Sequence, residues 1–267
     1  MQRAARGVWS AAAIAAAVLI AGSPASAGQG CAARRMTIVG PFCMDRYEAS
    51  VWRIPHSATE LIQKAQTGKP TAAELIAGGA TQLGVGAADD YGPCHLDGSN
   101  CADIYAVSTA GVRPSANINW FQAQQACANA RKRLSRNAEW QAAVAGAPDP
   151  GPDDRATDCN TSRLVVGPVE NGSRSACVSS FGNYDMVENL YEWMADWTPA
   201  SQSACPDWDA FSNDSMCFAG ADTLNLGPGA LLRGGFYFSG ESAGPLDVVG
   251  SVEGTFESEN IGFRCAR

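Results

Sequence analysis

Ten cysteines constrain this chain more than any other feature of its sequence. Cys31, Cys43, Cys94, Cys101, Cys127, Cys159, Cys177, Cys205, Cys217 and Cys265 all follow residue 27, and their number is even. In an oxidising compartment such a set reads as a disulfide framework. Metal ligation competes with that reading, but there is no C-x-x-C pair, and the two histidines, His56 and His95, stand in unrelated contexts. The usual zinc spacings are therefore missing, and both histidines are expected at the surface or in loops.

The first residues agree with export. Arg3 and Arg6 precede an apolar run from Val8 to Ala21, and Ala25-Ser26-Ala27 puts small residues where a signal peptidase cuts. That run of 14 residues is shorter than the roughly 20 that cross a bilayer. Residues 1–27 read as a cleaved signal peptide, residues 28–267 as one secreted or periplasmic domain without membrane insertion. Lipidation at Cys31 is disfavoured, because Gly28-Gln29-Gly30 lacks the Leu such sites prefer. Cleavage removes two arginines and no acid, so the formal charge moves from -8 to -10. Nucleic acid and anionic membranes would repel so acidic a protein.

Local patterns suggest α+β with much irregular structure. Pro41 to Val51 alternates apolar and polar residues, which predicts a strand near a sheet edge. Ser57 with Glu60, and Thr71 with Glu74, fit capping boxes for two short helices, stopped by Gly68 and by Gly78-Gly79. From Gly78 to Val112 the chain is rich in Gly, Ala, Asp and Asn and reads as loop, pinned by a Cys94–Cys101 disulfide. Residues 119–130 predict a helix with Trp120, Ala123, Cys127 and Ala130 on its buried face. A second helix is expected to begin at a Ser135 cap. Beyond Gly146, short apolar pieces separated by turn residues predict loops and short strands.

Four stretches together resemble one family, the sulfatase-modifying-factor or formylglycine-generating-enzyme domain. They are Tyr47-Glu48; Asn119-Trp120 through Cys127 to Arg133-Leu134-Ser135 and Ala138-Glu139-Trp140; Tyr184-Asp185-Met186-Val187-Glu188-Asn189-Leu190-Tyr191-Glu192-Trp193; and Leu232-Arg233-Gly234-Gly235 with Gly262-Phe263-Arg264-Cys265. The family's wording is close to V-S-W, R-L-P-T-E-A-E-W, Y-D-M-x-G-N-x-W-E-W, R-G-G-S-W and G-F-R. The resemblance implies a variant of the C-type lectin fold, with a loop-rich insertion at about 52–112. It also implies a disulfide from Cys127 to Cys265, and proximity in sequence suggests Cys31–Cys43, Cys94–Cys101, Cys159–Cys177 and Cys205–Cys217 for the rest. Arg133, Arg233 and Arg264 are expected in buried salt bridges with Glu139 or Glu192. Trp120, Trp140 and Trp193 are expected in the core.

The resemblance further implies calcium at the third stretch. Asp185 and Glu192 match the side-chain ligands, and Glu188 and Leu190 the positions that offer carbonyls; all are hard oxygen donors. A weaker second calcium would use Asn160 and Thr161. The family's formylglycine chemistry uses a cysteine pair that holds copper, and here Ser239 and Gly244 fall at its two positions. No cysteine lies between Cys217 and Cys265, and copper(I) selects soft thiolates, so copper is not expected. Two histidines are also too few for the imidazole-held iron of related oxygenases, so iron is not expected either. What remains is a calcium-stabilised binding or accessory protein for a protein, peptide or carbohydrate ligand. Its binding surface would display Phe236, Phe238, Glu241 and Asp247 beside Tyr237, and either Tyr237 or Phe236 is expected to turn inward. A formylglycine-generating oxidase and a non-haem iron oxygenase are the alternatives.

Overall fold

A computed structural model describes residues 30–32, 35–86, 90–149, 153–161, 166–198, 213–217 and 228–267. Its centre is a sheet in the order β11-β7-β9-β10-β8, made of Ile261–Phe263 (β11), Tyr191–Thr198 (β7), Gly229–Arg233 (β9), Val248–Val252 (β10) and Met216–Cys217 (β8). Side chains alternate across a strand, and here both faces are covered. Trp193 and Leu232 enter one core with Ile261 and Phe263, while Met194 and Leu231 enter a second with Trp140 and Val248. Helix Trp120–Asn129, the third of the four helices named here (α3), lines the first core through Ala123, Ala126 and Cys127. Helix Asn137–Ala143 (α4) seals the second through Trp140 and Ala143.

The remaining strands form two smaller sheets. Met36–Val39 (β1), Phe42–Asp45 (β2), Cys265–Ala266 (β12) and Arg133–Leu134 (β6) pair in the order β1-β2-β12-β6. Ser50–Arg53 (β3) lies between Thr81–Leu83 (β4) and Ile104–Val107 (β5). Val51 faces the first core and Trp52 a third one, roofed by helices Thr59–Gln66 (α1) and Ala72–Ala77 (α2) through Leu61 and Leu75.

Several expectations need correction. Pro41 to Val51 is not one edge strand: it splits into β2 and β3, in different sheets and each with a neighbour on both sides. Its alternation is real, but both faces of β3 are buried, so the polar-looking positions do not mark solvent. The stretch 78–112, expected as loop, also contributes the two short strands β4 and β5. Ser57 caps nothing, because α1 starts at Thr59 behind Ala58, without a side-chain cap. Thr71 and Glu74 do form a capping box. Ser135 does not cap α4; its hydroxyl turns inward to the Arg264 carbonyl at 3.3 Å and the Met194 sulfur. α4 instead opens with the Arg136 N–H donating to Glu139.

Four disulfides staple the described residues: Cys31–Cys43, Cys94–Cys101, Cys127–Cys265 and Cys159–Cys177. Cys127 to Cys265 ties α3 to β12 across 138 residues, a closure stabilising by about 5 kcal/mol in the chain-entropy picture. The expected Cys205–Cys217 pair involves Cys205, which lies outside the described residues, as do residues 1–27. Among the described residues no helix is long and apolar enough to cross a membrane.

Candidate functional site

The Tyr184–Trp193 stretch approaches β9 and β11 through a turn of unusual backbone. Asp185, Glu188 and Asn189 all adopt positive φ, at 55°, 70° and 62°. L-residues enter that region at a cost of about 1–2 kcal/mol. Interactions on both sides of the turn hold it there.

On one side lies a hub around Arg264, which is fully buried. Its Nε and Nη2 donate to Glu192 at 2.8–3.1 Å. Nη1 donates to the carbonyls of Asp45 and Arg46, each at 3.0 Å, and Nη2 to that of Tyr184 at 2.7 Å. Trp140 Nε1 completes Glu192 at 2.9 Å. Glu48 stands beside them, accepting from the Leu190 N–H at 3.0 Å and from the Asn189 amide. Burial, then Asp185 and Glu192, push Glu48 well above the usual carboxylate range. Asp185 accepts from the Gly172 N–H at 2.7 Å, and burial raises its pKa to about 7. Three buried carboxylates therefore share one guanidinium.

On the other side Glu188 is buried, and neither carboxylate oxygen has a hydrogen-bond partner among the described residues. Burial raises it to about 9, with Asp153, Asp247 and Asp214 adding repulsion. Asp247 is buried too and is raised by burial to about 8, against the pull of Arg233. The Tyr191 hydroxyl faces Asp247 and Ser239. Asp214 accepts from the Leu246 N–H at 2.7 Å.

The expected site residues thus divide. Asp185 and Glu192 meet at the hub, whereas the Glu188 side chain points into the second cluster. Leu190 is buried, with its N–H on Glu48. Glu192 accepts hydrogen bonds from Arg264 and Trp140. Asn160 and Thr161 lie beside the same turn: Asn160 Nδ2 contacts Asn189 Oδ1 at 3.2 Å, and the Thr161 carbonyl accepts from the Gly240 N–H. Asn160 Oδ1 is buried without a partner. Among the described residues no group of three His, Cys, Asp or Glu is close enough to clasp a metal.

Ser239 and Gly244 flank the second cluster. Ser239 Oγ accepts from the Phe236 N–H at 3.1 Å, closing a tight turn. A Cβ on Gly244 would collide with the Asp214 carboxylate, so a side chain there requires Asp214 to move. Phe238 and Glu241 are exposed, and Phe236 is half-buried against Tyr191 with ring centroids 5.4 Å apart. Tyr237 is buried, as expected. Asp247 departs from expectation: it belongs to the interior, held under Gly235, and is not displayed.

Of the arginines, Arg264 pairs with Glu192 and Arg133 with Glu139. Arg233 does neither, because Arg264 already fills Glu192. It lies over the Trp140 ring at 4.5 Å and donates to the carbonyls of Asp247, Leu246 and Pro245 and to Gln141. Burial lowers it to about 10. Trp140 and Trp193 are core residues, and Trp120 is partly buried with Nε1 on the Met194 carbonyl at 2.7 Å. Sequence reasoning missed the parts played by Glu48 and Asp214. Glu188 carried a signal, since it stands where the family's wording has glycine.

The turn, the Arg264 hub and the Cys127–Cys265 link join the quoted motifs in one structure, and the chain belongs to the family of sulfatase-modifying factor enzyme 1-like domains. That family's model matches residues 10–267. Among solved structures the chain is similar to the P3c variant of the Major Tropism Determinant, at 16% identity over 87% of this chain and 52% of that one, TM-score 0.45. It thus spans about half of that protein's length. It is also similar to CarF, at 18% identity over 85% of each chain, TM-score 0.41, and to PvdO from Pseudomonas aeruginosa, at 18% identity over 85% and 80%, TM-score 0.35. No curated protein matches the chain.

Proposed function

We propose that this is an exported binding or accessory member of the family that has given up cysteine-pair copper chemistry. One observation carries the reading. Ser239 and Gly244 stand at the cysteine positions, and every cysteine whose side chain is described is bound in a disulfide. A hydroxyl and a glycine packed against Asp214 offer no soft ligand for copper(I). The exposed Phe238 and Glu241, beside Phe236, suit stacking on a peptide or carbohydrate. The four disulfides suit an oxidising, extracellular or periplasmic compartment.

Calcium at the Asp185–Leu190 turn is part of the proposal. Surplus negative charge supports it: Glu48, Asp185 and Glu192 face one arginine. Asp185 and Glu192, with the carbonyls of Glu188 and Leu190, would hold the ion, Glu192 sharing its carboxylate with Arg264. Bound calcium would supply the positive charge that the buried acids lack. A melting temperature unchanged between calcium and chelator would remove calcium from the proposal.

The test of function uses the purified mature protein. Incubated with copper(I) and a Cys-x-Pro-x-Arg peptide, it is expected to yield no aldehyde and to retain no stoichiometric copper. Aldehyde formation would overturn the reading in favour of the oxidase. Stoichiometric iron after aerobic purification would favour the oxygenase.

A further inference from the structure

A cavity of about 700 Å³ opens on the face where β1 enters its sheet. Arg35 and Arg46, the apolar Ile38 and Phe181, and Tyr47 and Ser108 line it. Among the described residues no Asp or Glu lines it, in a chain where acids outnumber Lys and Arg by 27 to 19. Both guanidiniums are exposed, and neither is hydrogen-bonded or ion-paired to another described residue. Ile38 and Phe181 are 47% and 42% exposed.

The lining at Tyr47 is rigid. Tyr47 stacks on Tyr184 with centroids 5.3 Å apart, and Gly172 lies so close that a Cβ there would meet the Tyr47 ring. The Tyr47 N–H donates to Ser108 Oγ at 3.0 Å, and that hydroxyl donates back to the Tyr47 carbonyl. The Arg46 carbonyl accepts from Arg264 and from the Tyr184 N–H, so the backbone carrying one guanidinium is anchored in the core. The volume falls within the range of small-molecule pockets, which combine apolar walls with a few placed polar groups. Guanidinium is the side chain suited to planar, two-pronged recognition of carboxylate and sulfate-like groups.

We infer that this cavity binds a small amphiphilic anion, a carboxylate or sulfur oxyanion carried on an aromatic or aliphatic body. Arg35 and Arg46 take the charged head, and Phe181, Ile38 and Tyr47 take the body. The inference is independent of the proposed function, since it uses neither the calcium turn nor the Ser239 surface. The net negative charge repels anions at long range, but at physiological salt such fields fade within about 8 Å. Contact with the two arginines then decides.

Calorimetric titration of the full mature chain with 2-naphthalenesulfonate tests this, with 2-naphthylmethylammonium as the oppositely charged counterpart. Saturable one-to-one binding of the sulfonate and none of the ammonium is expected. The double variant Arg35→Ala, Arg46→Ala should weaken the sulfonate at least about tenfold, with its melting temperature unchanged. Phe181→Ala should weaken it severalfold, and Arg46→Lys should retain part of the affinity. Equal binding by the double variant, equal binding of both probes, or no saturable binding of the sulfonate would each overturn the inference.

Discussion

The two sides of the Asp185–Leu190 turn bury acid in opposite ways. At the Arg264 hub each buried carboxylate accepts hydrogen bonds, and the guanidinium reaches Glu192 and carbonyls on two separate segments. Across the turn Glu188 is also buried, with no donor on either oxygen among the described residues. A buried ion that is paired and hydrogen-bonded is tolerated, whereas one left bare gives up its charge. The hub therefore behaves as a structural rivet, and the Glu188 cluster as a cost the fold carries without a packing return. Costs of that kind concentrate where a chain does something besides fold.

Breaking the rivet should give the largest effect. Arg264→Met leaves Glu192, Glu48 and Asp185 without their common cation, and removing one partner of a buried pair costs about 3–5 kcal/mol. Urea unfolding should show that loss; a loss below about 1 kcal/mol would mean the hub is not what joins these segments. Trp140→Phe keeps most of the packing but takes one donor from Glu192, for an expected loss of about 1–3 kcal/mol. If the phenylalanine variant matched the parent, the Nε1 bond at 2.9 Å would carry no net stability.

Across the turn the sign reverses. Glu188→Gly removes a bare buried carboxyl and relieves a φ of 70°, and it is expected to stabilise by about 1 kcal/mol. A destabilised glycine variant would show that Glu188 is held by something other than the fold, a bound cation among the candidates. Adding calcium to both proteins separates the two explanations, because only a bound ion makes the difference depend on the metal.

The same contrast explains what could be read from the sequence. Cysteine placement gave the framework, and short-range chemistry gave the Thr71–Glu74 box and the α3 helix, because those depend on residues within a few positions of one another. Ser135 looked like a cap for the same reason, but its hydroxyl answers to Arg264, 129 residues away. β5 was hidden because a strand buried at every position loses the contrast that alternation needs. At the site, the motifs located Asp185 and Glu192 but not their roles. Whether a glutamate binds an ion or an arginine depends on what packs beside it, and Arg264 and Trp140 arrive from distant segments. Arg35 and Arg46 carried no local signal, since only the fold removes acids from their surroundings.

The smallest predicted effect is a slope with pH. Burial raises Asp247 to about 8, from an ordinary 3.8. Between those two values the folded chain holds a proton that the unfolded chain has released. Stability falls with rising pH wherever the native state binds more protons. The contribution of Asp247 is therefore intact below pH 3.8, and it is lost as pH climbs through about 8. Arg233 and the Tyr191 hydroxyl face the group and Asp214 repels it, so the titration belongs to the cluster rather than to one residue. Asp247→Asn keeps the shape and cannot ionise. Its unfolding free energy, followed from about pH 6 to 9, should decline less steeply than that of the parent, with the two curves diverging as pH rises. Parallel curves would mean that Asp247 keeps its charge in the folded chain, and the division between a satisfied hub and an unsatisfied cluster would then have to be redrawn around Arg233.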